Sequence, residues 1–460
     1  MREKLRNGTI LVALLLSVLA PFISSGYSEI RKAESATSYI AAAEHYQTAA
    51  GRLPWRSDLY ELAGHHYYYA EEYPLAEAAY EKANNRNALS PDGWVAWGDV
   101  VYLNGDPERG AEIWVEGLEK PDSSEKLYSR LAQTYQENAN YSKAAQYLQL
   151  YVDKFPDDAS AHYRLGLLLT LTDPNQAGAE LISASQLDLQ FDPAVQTLRT
   201  ALNLSTLSES LSQQKVVIGR GLGLVNEWEL ALVIFEEATQ IDANNAEAWA
   251  WLAEASQVSG SDEALKYLDR ALGLDPNSSV VRGLRGLYFQ RIGNHRESLI
   301  EYQAAARLDP ENPVWYVSIG EEFIKVGDLI RALEAYQYTT VLEPENAEYW
   351  RLLASFCGQN STNVRDVGVP AAREAVQLQP NDAVMLDVLG WLLVLDGRLN
   401  EAEGKLLEAL AIDPQLSSVH FHLGLLYLQR DNRQLMFDHL VQARDLGSAE
   451  AEALLIQEFP

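Results

Sequence analysis

Eight histidines are where metal or acid–base chemistry would first be sought: His45, His65, His66, His162, His295, His420, His422 and His439. No two carry the His-Glu-x-x-His spacing that sets a pair of imidazoles on one face of a helix beside a carboxylate. His420 and His422 stand two apart, so on a helix they point away from each other, and the adjacent His65 and His66 meet the same difficulty. Gly219-Arg220-Gly221-Leu222-Gly223 has the glycine density of a phosphate-cradling loop, but it does not follow a strand as such a loop must. There is no Walker sequence, no nucleophile elbow and no convincing acid pair. The 65 acidic residues read mostly as solvated charge. Cys357 is the sole cysteine, which excludes an intramolecular disulfide. These residues predict no metal site, no cofactor and no catalytic centre of the chain's own.

Function is then expected in what the chain binds, and a repeat supplies the surface. Pro276, Pro310, Pro344, Pro380 and Pro414 stand 34, 34, 36 and 34 residues apart. Gly286, Gly320, Ala354, Gly390 and Gly424 keep the same intervals, and so do Ala305, Thr339, Ala375, Ala409 and Ala443. Within 383–416, Leu386, Leu389 and Leu393, then Leu399, Ala402, Leu406, Ala409 and Leu410, recur at helical spacing on either side of an Asp396-Gly397 turn signal. Asp413-Pro414 closes the second helix, because proline has no amide donor and clashes with a continuing helix. Each unit therefore reads as two antiparallel helices, with small residues where their backbones approach.

The repeat resembles the tetratricopeptide repeat family. Tyr316, Ile319, Gly320, Phe323, Ala332, Tyr336, Thr339 and Pro344 follow that family's pattern, as do Tyr60, Gly64, Tyr67, Ala76, Tyr80 and Ala83 near the amino end. The resemblance implies an all-α, right-handed superhelical solenoid of about eleven helix-turn-helix units. Residues 57–192 read as a first array, 212–450 as a second and 451–460 as a carboxyl-terminal cap. Ala42, Tyr46, Ala49 and Pro54 mark a half repeat in residues 27–56. Residues 193–211 leave the register but keep Val195, Leu198, Leu202 and Leu211 at helical spacing, which predicts an extra helix, either a packing element or a hinge. Gly358–Asn363 is polar and lengthens one inter-helix turn by two residues, as a contact site or a tolerated insertion.

Composition bounds the partners. The net charge is −29, which repels nucleic acid and anionic lipid surfaces. Arg2, Lys4 and Arg6 precede an apolar run, Ile10–Ile23, followed by Ser24, Ser25 and Gly26. Residues 1–26 thus have the layout of a signal peptide or an uncleaved anchor, with membrane attachment through 10–23 and the array outside the cytoplasmic membrane.

In the resembling family the first helix of each unit lines a concave groove through its positions 2, 5, 9 and 12. The basic and asparagine-rich set that grips a terminal carboxylate is absent here. Val384, Trp391, Val394, Phe421, Leu425 and Leu428 fall on groove positions of the last two units, an apolar strip that suits an amphipathic helix or extended apolar peptide unless the terminal helix folds over it. Asp58, Glu61, His65, Tyr68, Asp99 and Tyr102 form a more polar groove near the amino end that suits basic peptides or glycans. The expectation is an exported, non-catalytic scaffold with a protein or peptide ligand. The alternative is an accessory protein of cell-surface polysaccharide or glycan assembly, akin to the repeat regions associated with glycosyltransferases.

Overall fold

The computed structural model describes residues 20–459. The basic residues Arg2, Lys4 and Arg6 and the apolar run up to residue 19 lie outside the described residues. Among those described there is no strand, and no helix is long and apolar enough to cross a membrane. Two compact units divide the chain. One runs to Leu207 and takes in Arg220–Leu230; the other takes in Ser208–Gly219 and continues from Ala231.

Each unit is a stack of helix pairs, and three local devices repeat through it. The first ends one helix and starts the next. Gly293 and Asn294 show the pattern: Gly293 turns the chain at φ 76°, and the Asn294 side chain accepts from the amide of Glu297 to cap the following helix, His295–Leu308. Gly327 at φ 82° with the Asp328 cap repeats it before Leu329–Leu342. Left-handed backbone costs glycine nothing, and a capping carboxylate or amide satisfies a donor that the helix leaves open.

The second device sets the spacing within a pair. A Cβ added to Gly64 would stand 2.8 Å from the Tyr80 ring, one on Gly286 2.8 Å from Tyr302, and one on Gly320 2.9 Å from Tyr336. The small residue on the first helix thus admits the ring that lies sixteen positions later on the second. The third device joins successive pairs. The carbonyl of Pro344 accepts from Trp350 Nε1 at 2.8 Å, that of Pro310 from the Tyr316 hydroxyl at 3.3 Å, and that of Ala243 from Trp249 Nε1 at 3.0 Å. The residue two places past the end of one helix, proline in two of these three cases, therefore offers the acceptor that orients the first helix of the next pair.

Two departures from the sequence reading follow, and one expectation is met. The half repeat read in residues 27–56 is completed by a helix that starts further upstream. A helix over residues 20–34 pairs with Tyr39–Arg52: Arg52 donates to Ser25 Oγ at 2.6 Å, His45 meets Glu29 at 2.7 Å, and Gly26 lies flush against buried Leu53. Residues 20–26, read as part of an export segment, are built into the first helix pair. The lengthened turn after Gly358 does not project as a free loop; its extra residues are absorbed in a π-helical turn, Val364–Gly368, that leads directly into Val369–Leu378. The irregular stretch holds a short 3-10 turn, Leu189–Phe191, and the extra helix itself, Asp192–Ser205, which buries Val195, Leu198, Ala201 and Leu202.

The glycines at 219, 221 and 223 lie inside the helix Leu211–Leu224, where they admit Phe235, Ala201 and Trp228 respectively.

Candidate functional site

Three of the six polar candidates meet in one place. Tyr68 comes from Asp58–Tyr69, Asp99 and Tyr102 from Pro91–Leu103, and Arg130, Gln133 and Glu137 from Lys126–Glu137. These are the first helices of three successive pairs, and together with Leu103, Trp114 and Thr134 they enclose a cleft of about 290 Å³. Asp99 sits low in it, its side chain 12% exposed, and takes Arg130 in a forked pair: Nε to Oδ1 at 2.9 Å and Nη2 to Oδ2 at 3.0 Å. Burial pushes the Asp99 carboxyl above the usual carboxylate range, against the pull of Arg130. Tyr102 donates its hydroxyl to Glu137 Oε2 at 2.8 Å, and Gln133 donates to Oε1 at 2.9 Å. The Tyr102 ring lies stacked on Trp114, with centroids 5.9 Å apart. The cleft therefore has aromatic walls, a fixed ion pair and a rim carboxylate held by neutral donors.

The other three polar candidates are placed elsewhere. Asp58 is held in a forked pair with Arg56, whose hydrogen bond lowers its carboxyl from the ordinary value. Glu61 is a joint between helix pairs and does not line the groove: it is buried, accepts from the Ser90 amide at 2.7 Å and from the Ser90 hydroxyl, and rests on Gly93. Ser90 in turn caps Pro91–Leu103. Burial raises the Glu61 carboxyl, but the hydrogen bonds from His65 and Ser90 outweigh it and leave the group lowered. His65 is tied between Glu61 and the Tyr80 hydroxyl, 2.9 Å from its Nδ1.

The apolar strip is only partly an open surface. Val394 is buried, 1% exposed, and belongs to the core. Trp391 is wedged between two neighbours: its ring lies against Gly358, and the His422 imidazole stacks on it at 5.2 Å and 8°. Beside it, the buried Asp387 meets His422 Nδ1 at 2.7 Å, so a polar pair lies beneath a strip read as apolar. Phe421, Leu425 and Leu428 are half-buried and Val384 is exposed. The terminal helix Ala449–Glu458 packs on Arg433–Asp445, and its Glu458 shares the lining of a cavity of about 50 Å³ with Leu428. His420, which diverges from His422, meets a different partner: its Nδ1 is 3.2 Å from Nδ1 of His439. Among the described residues no group of three or more His, Cys, Asp or Glu side chains gathers to hold a metal.

Arg130 and Glu137 were missed because they fall off the counted groove positions. One signal was present: Arg130 lies 31 residues after Asp99, almost one repeat on and opposite in charge. Arg365 and Asp396, also 31 apart, pair at 2.8 Å in the same way.

A profile described as tetratricopeptide repeat matches residues 62–125, 129–186 and 255–313. No curated protein sequence matches the chain. Among solved structures, the APC/C hetero-tetramer Cut9–Hcn1 supplies a similar chain at 15% identity, with 98% of both chains covered and a TM-score of 0.44. Yeast Tom70 is similar at 16% identity over 96% of this chain and 95% of its own, with a TM-score of 0.38. YrrB, titled a TPR protein with an unusual peptide-binding site, is similar at 18% identity over 42% of this chain and 98% of its own, with a TM-score of 0.34.

Proposed function

Because this chain belongs to the tetratricopeptide repeat family, we propose that it is a protein-binding scaffold without catalysis of its own, gripping a peptide or protein segment on its first-helix face. The observation that carries this reading is the cleft. Tyr68, Asp99, Tyr102, Arg130 and Glu137 arrive from three successive pairs and leave rings and charges facing one opening. An extended segment laid across those helices would meet each in turn. We further place the protein outside the cytoplasmic membrane, on the strength of Arg2, Lys4 and Arg6 preceding the apolar run at 10–23. The helix over residues 20–34, packed on Tyr39–Arg52, supports an arrangement in which that run stays attached to the array.

The experiment is a photocrosslinking residue at Gln133 in the native cell, combined with protease added to intact spheroplasts. Capture of a protein by Gln133 and digestion of the array from outside are expected. Resistance to protease until lysis would sink the exported placement. One feature favours the second reading, a glycan accessory: Tyr68 and Tyr102 stand beside the planar polar groups of Asp99 and Gln133, a lining that also suits a sugar ring. Saturable binding on a glycan array with no protein crosslinked would establish that reading in place of the first.

A further inference from the structure

The charges in the cleft do not balance, and the imbalance names a ligand. Asp99 and Arg130 neutralise each other in their forked pair, so neither is free to receive a charged group without giving up the other. Glu137 differs. Its described partners are the Tyr102 hydroxyl and the Gln133 amide, both neutral, and its carboxylate is exposed at the rim. Arg164, on the first helix of the adjoining pair, is engaged by Gln136 at 3.0 Å and Glu227 at 3.3 Å. Lys126 is turned to Asp92 at 3.2 Å. The cleft thus carries one uncompensated negative charge next to the rings of Tyr68 and Tyr102.

We propose that this cleft receives a basic side chain, lysine or arginine, from an extended partner segment, with Glu137 as the carboxylate that takes the charge and Tyr68 and Tyr102 as the rings that flank its stem. The proposal rests on the protein-binding reading and specifies its ligand. A cation gains from the ring faces as well as from the carboxylate, and the gain rises where water is partly excluded. Burial of Asp99 shows that water is partly excluded here. The net charge of −29 adds long-range attraction for a basic partner. An acidic ligand fares worse. It would have to displace Asp99 from Arg130, leaving a buried carboxylate unpaired, while facing Glu137 across the opening.

The test is calorimetric titration of the full chain with four capped peptides, each Gly-Ser-X-Ser-Gly, in which X is lysine, arginine, norleucine or glutamate. The lysine and arginine peptides are expected to bind at least roughly tenfold more tightly than norleucine, with affinity falling as salt rises. Glu137→Gln keeps the shape and the neutral contacts, and is expected to erase that preference while the circular dichroism spectrum stays unchanged. Equal binding of norleucine, tighter binding of glutamate, or a lysine preference that survives Glu137→Gln overturns the proposal and leaves the protein-binding reading intact. If none of the four peptides binds, the proposal falls. If an oligosaccharide binds in their place and Gln133 crosslinks no protein, the protein-binding reading falls with it.

Discussion

The thiol of Cys357 is fully buried against Gly368, and burial pushes its pKa up to about 11. The thiolate is the reactive form, so the native chain is expected to leave a disulfide reagent unreacted at neutral pH and to consume one equivalent once unfolded. Stoichiometric labelling of the native protein would contradict that burial. His439 carries a different consequence. Burial lowers its pKa, and the His420 ring, 3.2 Å away, lowers it further, with Asp438 opposing. A folded pKa below the unfolded value of about 6.5 means that its contribution to stability is complete above that pH and is lost as pH falls through it. Melting temperatures at pH 7.5 and 5.5 are expected to differ more for the wild type than for His439→Gln. An equal drop in both would mean that the pair does not titrate in this range. Glu61 and Trp391 show how one neighbour changes a residue's meaning. Each sits at a groove position on its own helix, and each is claimed by the next or preceding pair, Glu61 by Ser90 and Trp391 by Gly358 and His422.

Between helices, the close approach of a glycine and a ring holds the pair together. A Cβ on Gly98 would fall 2.1 Å from Trp114 Nε1, and that nitrogen is already committed to the carbonyl of Val95 at 3.1 Å. Gly98→Ala must therefore push the two helices apart, at a cost of about 1–3 kcal/mol. Gly404, in Leu399–Ile412, has nothing within 4 Å of its would-be Cβ. There the same substitution removes only the entropic penalty of a helical glycine and is expected to add about 0.5–1 kcal/mol. Urea unfolding midpoints should move in opposite directions for the two variants. Two shifts of the same sign would rule out packing as the reason for glycine at 98. The same reasoning explains the π turn at Val364–Gly368. Gly368 must lie on Cys357, and the surplus residues of the turn are taken up in backbone winding without displacing the helix that follows.

Over the whole chain, 65 acidic residues face 36 basic ones. Self-repulsion among like charges opposes compaction, and salt screens it over about 10 Å at 0.1 M. The melting temperature is expected to rise between 10 and 300 mM sodium chloride, although the surface ion pairs weaken over that range. A fall would show that ion pairs such as Arg282 and Arg285 on buried Glu301 outweigh the repulsion. The helices, their turns, the breaks at proline and the glycine–ring contacts could be read from residue order, because every one of those interactions closes within a single repeat. The extra helix at Asp192–Ser205 was legible for the same reason, through its own apolar period. The contents of the groove were not. Asp99 finds Arg130, Glu61 finds Ser90 and Asp387 finds His422 across 29 to 35 residues, from one pair to the next. Counting positions along one helix names the side chains that face inward, but not the side chain that the neighbouring helix sets opposite them. Stacking alone settled that Val394 and Glu61 are interior, that Trp391 is a wedge, and that Tyr68, Asp99 and Tyr102 share a cleft with Arg130 and Glu137.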